Sequence, residues 1–213
     1  MKKRPRKPTR RGSERTSPNA RRTESPLELD ACESLLTCAD EAVAVLHIDE
    51  ALDPEAIVAA IDQALVQLQV GGSSTRDDDM DVELDAGLGD GTADDDQEQF
   101  DHIEPELSEL DNEEVALLLA SLWGEQLVRQ FGWEWGSMIF HDHGNTTAVG
   151  VFSPDRSLAI YPFHFIFRCL EEDAPVTLLL AFQILKDASR IPALPEGGYE
   201  NVMDNVHHVD EAE

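Results

Sequence analysis

The chain has 213 residues, with 44 Asp and Glu against 16 Lys and Arg, a formal net charge of −28, three Cys and 41% hydrophobic residues. No apolar run reaches the roughly 18 residues of a membrane span, no apolar stretch of a secretory signal follows the basic N-terminal segment, and three sparse Cys argue against a disulfide framework. A soluble cytoplasmic protein is expected.

The charge is divided by position. Residues 1–22 contain ten of the sixteen basic residues and one acid, Glu14, for a net +9, while everything after them carries −37. Residues 77–111 hold sixteen acids and no base, whereas 112–192 hold ten acids and five bases, an ordinary balance for a folded domain.

In chain order, residues 1–26 are rich in Arg, Pro and Ser and are predicted to be a disordered basic tail. Lys2, Lys3, Arg4, Arg6, Lys7, Arg10 and Arg11 are dense enough for a salt-sensitive contact with nucleic acid. No aromatic residue in 1–26 offers base stacking. The tail can alternatively fold back on the acidic linker of its own chain, or simply solubilise it. Residues 27–70 predict a helical hairpin. Leu35, Ala39, Val43 and Leu46 share one face of its first helix, although Val43–Ile48 also alternates like a short strand. Asp53-Pro54 starts the second helix, Ile57, Ile61, Leu65 and Leu68 line it, and Gly71-Gly72 is expected to close it. Such a pair is too small for a core of its own and needs the next region or a partner.

Residues 71–99 read as a disordered acidic linker, since Asp77, Asp78, Asp79, Asp94, Asp95 and Asp96 repel one another and bring little apolar area. Within it, Asp81-x-Glu83-x-Asp85 is followed by Ala86 and Thr92 where a calcium loop needs Gly and Glu. Residues 100–192 predict an α+β domain. Its helix is capped by Asn112 and carries Val115, Leu118, Leu119, Leu122, Leu127 and Phe131, with Gly132 as its stop. A three-stranded antiparallel meander follows at Trp133–His141, around Thr147–Val151 and at Leu158–Tyr161. Two helices led by Pro162 and Pro175 complete the domain. Residues 193–213 read as a loose acidic tail.

Three strings carry a family resemblance: Leu122-Trp123-Gly124-Glu125, Phe131-Gly132-Trp133-Glu134-Trp135, and Pro162 followed by Arg168. Over about 70 residues they resemble a bacterial domain family of unknown function, with a helix ending in Gly-Glu, a Gly-Trp strand start and a Pro-led helix with a late Arg. The resemblance implies a small bacterial α+β module, sometimes found near polymorphic-toxin systems, and assigns no chemistry. The basic tail and the Asp-rich linker are not part of that pattern.

Candidate chemistry is thin. His141 and His143 alternate along a strand and can face one metal with His164 as a third ligand, but their spacing lacks the specificity of a zinc motif, so no metal or other cofactor is expected. No Gly-x-Ser-x-Gly elbow or phosphate-binding Gly loop is present, and Cys169 suits a core position, so the chain is not read as an enzyme. Trp133 and Trp135 fit the core, or serve as anchors for a partner protein. The reading these features support is a non-catalytic acidic adaptor or immunity-type inhibitor that docks a basic protein. Asp77–Asp79, Asp94–Asp96, Trp133 and Trp135 would be its contact residues. The alternatives are a nucleic-acid-associated protein acting through residues 1–22, and a metalloprotein built on the three His. The oligomeric state is left open.

Overall fold

Leu29–Val45 forms α1 and Pro54–Ser73 forms α2 in the computed structural model, which describes residues 22–49, 51–73, 107–172, 174–204 and 206. Ala39, Ala42 and Leu46 are the inward residues of the first helix and its end. Helical φ,ψ stop at His47, which takes a positive φ of 51°, so the strand alternative for 43–48 does not form. Asp53 starts α2 as its chemistry dictates, its carboxylate accepting the Ala56 amide at 3.0 Å. The helix runs through Gly71 and Gly72 to Ser73 instead of closing at them. Two glycines weaken a helix by about 1 kcal/mol each, and they do not end one whose last turns are anchored. Here the Gln69 amide donates to the Cys169 and Ala174 carbonyls, both at 2.8 Å.

The third helix, α3 (Asn112–Phe131), is the support for both. Asp111 is its N-cap, one residue before the expected Asn112, and forms a capping box with Glu114: the Asp111 carboxylate accepts the Glu114 amide at 2.9 Å and Glu114 accepts the Asp111 amide at 3.2 Å. Gly132 ends it in the left-handed region at φ 65°, its amide donating to the Val128 carbonyl. α1 and α2 each pack on α3 and scarcely touch one another. The helical pair and the C-terminal region therefore share one core, which runs from Ala39 through Ile61, Leu119 and Trp123 to Phe182.

The meander is present as β2 (Glu134–Phe140), β3 (Thr146–Phe152) and β4 (Leu158–Ile160). Two further strands flank it. Arg22–Pro26 forms β1, antiparallel to β2, and Glu200–Asn201 forms β5, parallel to β4, giving the order β1-β2-β3-β4-β5. Both lie in segments expected to be disordered or loose. Arg22–Pro26 shows no apolar alternation because its pairing rests on polar contacts: Thr23 Oγ1 meets His141 Nε2 at 2.8 Å, and Glu24 pairs with Arg156. Pro26 sits at the end of this edge strand, where a missing N–H costs little.

Register gives the sheet two apolar faces. Trp135, Val151 and Ile160 are direct cross-strand partners and join the core under the helices, and Met138, Phe152 and Ala159 form a second cluster on the opposite face. Helices α4 (Pro162–Glu172) and α5 (Leu178–Lys186) complete the helical side. Although Pro175 was expected to lead α5, that helix begins three residues later, where the Asp62 carboxylate of α2 accepts the Leu179 amide at 3.0 Å. The second face is covered by the segment before β5. The amides of Gly197, Tyr199 and Glu200 donate to the carbonyls of Asp155, Arg156 and Ser157. The Tyr199 ring then stands edge-on to Phe152, with centroids 5.8 Å apart. The tail expected to be loose from 193 is thus docked as far as Asp204, with Val202, Met203 and Val206 buried.

Candidate functional site

The histidines do not assemble. The strand ends at Phe140 and His141–His143 is a 3-10 turn, so the alternation that was to align His141 with His143 is absent. Both ring nitrogens of His141 are engaged, Nε2 with Thr23 and Nδ1 with Asn145 Oδ1, each at 2.8 Å. His143 is exposed beside Phe140, and His164 lies in the first turn of α4. Those two border one cavity that His141 does not reach. Among the described residues no group of three or more His, Cys, Asp or Glu is placed to hold a metal ion. Cys169 is fully buried in the core, and burial pushes its thiol up to about 11, well away from a nucleophile's range.

The two indoles proposed as partner anchors are spent on the interior. Trp133 is 6% exposed within the main core. Trp135 is half-buried, lies over Gly124 of α3, and meets Phe163 in a tilted contact with centroids 6.0 Å apart. The basic residues Lys2 to Arg11 and the acids Asp77–Asp79 and Asp94–Asp96 lie outside the described residues.

What the fold does expose is a groove between α3 and α4. On α3, Glu113, Ala116 and Leu117 stand at i, i+3 and i+4, and on α4 Phe163 and Phe167 stand at i and i+4, so each set shares one helix face. These rows border an open groove of 720 Å³, with Asp111 and Glu114 at one end and His164 along its side. Leu117 and Phe167 are 43% and 39% exposed, among the most exposed large apolar side chains described. The helices are joined beside the groove by Asn112 Nδ2, which donates to Glu171 Oε1 at 2.6 Å. No Lys or Arg is among the lining residues. The nearest base along α4, Arg168, is paired with Glu172 at 2.9 Å. Glu114 is held by the capping box, and Glu113 stays exposed beside it. Glu113 and Glu114 sit in the first turn of α3, where negative charge suits the helix dipole.

Sequence reasoning missed Leu117 and Phe167. The apolar stripe of α3 is broad enough that Leu117 reads as one more core residue. Phe167 is one of three Phe within five residues of α4, so periodicity alone does not say which is left outside.

Beyond His164 lies a second cavity of 650 Å³ over the far face of the sheet, bordered by Arg22, Phe140, His143, Tyr161 and Asp204. Tyr161 is held there by Phe140 and Phe152, with centroids 5.7 and 6.1 Å away, and burial pushes its phenol up to about 12. Tyr199, also at about 12, is raised by burial and by the Glu24 carboxylate that accepts its hydroxyl at 2.7 Å. Both phenols stay protonated at neutral pH, so neither is a base.

Among the described residues no helix is long and apolar enough to cross a membrane. No family model, curated protein or solved structure matches the chain.

Proposed function

We propose that this chain is a non-catalytic interaction protein of the cytoplasm that docks a basic protein partner through the groove between α3 and α4. The observation that carries the reading is the pairing of two exposed apolar side chains, Leu117 and Phe167, with an acidic rim of Asp111, Glu113 and Glu114 and no Lys or Arg in the lining. Apolar contact at the centre of a patch supplies affinity, and an unbalanced rim charge selects the partner's sign and speeds encounter. The sixteen acids at 77–111 add negative charge of the same sign to the chain, which favours encounter with a basic partner. An immunity-type inhibitor of a basic toxin is the sharpest form of the proposal, and the family resemblance favours it.

The test is capture of partners by the full chain from nuclease-treated lysate of its own host, run beside a Glu113→Lys, Phe167→Asp double variant. One basic protein in stoichiometric amount, retained by the parent chain and lost with the variant, supports the reading. A partner held equally by both sinks the groove, and an absence of any stoichiometric partner sinks the adaptor role.

A further inference from the structure

We infer that the groove between α3 and α4 is a binding site for proline-spaced basic segments, and that residues 2–11 of this same chain are its resident occupant until a partner displaces them. The inference rests on the docking reading above and adds to it what the groove recognises.

Three features of the chain meet here. The first is chemistry. Residues 2–11 read Lys-Lys-Arg-Pro-Arg-Lys-Pro-Thr-Arg-Arg, with Pro5 and Pro8 three residues apart and seven bases around them. That spacing favours a polyproline II helix, which repeats every three residues and presents both prolines along one edge. Segments of this kind dock on aromatic-lined grooves, the prolines against apolar rings and the flanking bases against acids. Phe163, Phe167 and Leu117 give the apolar surface, and Asp111, Glu113 and Glu114 the acids.

The second is reach. Arg22, where the described chain begins at β1, borders the cavity on the far face of the sheet, and His164 borders both that cavity and the groove. Ten residues lie between Arg11 and Arg22, and the eleven steps from one to the other span up to ~36 Å at ~3.3 Å per residue. The two cavities adjoin at His164, so the tether has only to pass from one opening to its neighbour. The third is charge balance. Residues 1–22 carry +9 in a chain of −28, so the densest run of positive charge available to the groove belongs to the same chain. A short flexible tether gives an effective concentration in the millimolar range, which occupies a groove of even modest affinity.

The experiment uses a fluorescently labelled synthetic peptide with the sequence of residues 1–12, titrated against two full-length chains. One is the parent, and the other has Lys2, Lys3, Arg4, Arg6, Lys7, Arg10 and Arg11 replaced by Ser. The peptide is expected to bind the neutralised chain at least ~10-fold tighter than the parent, whose tethered segment competes at millimolar effective concentration. Adding Phe167→Ser to the neutralised chain, with an unchanged circular dichroism spectrum, is expected to abolish that gain. Carbodiimide coupling of the parent is also expected to join Lys2, Lys3 or Lys7 to Glu113 within one chain. Equal peptide affinity for parent and neutralised chains overturns the inference, as does binding that survives Phe167→Ser, which would locate the peptide on the acids of 77–96. Partner capture distinguishes the two levels. A partner lost with the groove variant while the peptide binds neither chain leaves the docking reading standing and removes the tail from the groove. A peptide that binds as expected, with no partner captured, removes the adaptor role and leaves the intramolecular contact.

Discussion

Gly124 shows what one atom decides in this fold. A Cβ built there would lie 2.0 and 2.2 Å from Cζ2 and Cη2 of Trp135, so the absence of a side chain is what lets the indole lie on α3. The Gly-Glu step and the Trp of the strand, adjacent in no sequence window, are two halves of one contact, which the linear string displays without explaining. Gly124→Ala is expected to cost about 1–3 kcal/mol as an overpacking change and to shift tryptophan fluorescence to the red as Trp135 swings toward solvent. An unshifted spectrum with full stability would remove the contact from the core. The next residue carries a different burden. Burial, and after it the charge of Asp40, hold the Glu125 carboxyl above its ordinary value. The folded chain therefore binds that proton more tightly than the unfolded one. The cost of ionising it is fully felt above the raised value and is relieved as pH falls toward the ordinary ~4.3. Glu125→Gln is accordingly expected to raise the melting temperature at pH 7, with the gain vanishing near pH 4. A gain that grows on acidification would reverse the argument.

At the scale of elements, α2 is the clamp on the joint between α4 and α5. Gln69 takes two carbonyls at the end of α4 and in the connection after it, and Asp62 takes the Leu179 amide at the start of α5. Asp62 does the work of a helix cap from another helix, because Thr177, the local N-cap, makes no capping bond. This is why α5 starts after Thr177 and not at Pro175: the capping signal is encoded 117 residues away, where no local reading of the sequence finds it. The helices themselves were legible, since Ile57, Ile61 and Leu65 or Leu118, Leu119 and Leu122 carry the helical period over several turns. The edge strands were not. Thr23-Glu24-Ser25 and Glu200-Asn201 have no apolar alternation, and they pair because Glu24, Arg156 and Tyr199 meet only once the sheet exists. Removing the remote cap should cost what a local one does: Asp62→Ala is expected to lower stability by about 1–2 kcal/mol. Asp62→Asn keeps an acceptor, sheds a carboxylate that burial holds above its ordinary value, and is expected to be close to neutral in a denaturant titration. Equal losses for the two would show that the amide of Leu179 gains nothing from the side chain.

Over the whole molecule the charge asymmetry read from the sequence acquires a location. The acids at 77–96 lie in the stretch between the end of α2 and the start of α3, and α3 opens onto the groove. Replacing Asp77, Asp78, Asp79, Asp94, Asp95 and Asp96 by Asn is therefore expected to slow association with a captured basic partner and to flatten its salt dependence, leaving dissociation nearly unchanged. An unaltered association rate in stopped flow would reduce that stretch to a spacer. The candidate site itself was only half legible. Its acids announce themselves in composition, but its apolar floor depends on which Leu and which Phe the packing of α1, α2 and α4 around α3 leaves uncovered. The strap over the second face of the sheet also has a topological consequence. Arg22 Nη1 donates to the Tyr199 carbonyl at 3.1 Å, and Tyr199 returns its hydroxyl to Glu24 at 2.7 Å, so side chains tie β1, at one edge of the sheet, to the residue just before β5, at the other. A circular permutant that joins Val206 to Arg22 through a short linker, and reopens the chain between 73 and 107, is therefore expected to keep the contacts among the described residues, with an unchanged circular dichroism spectrum as the check.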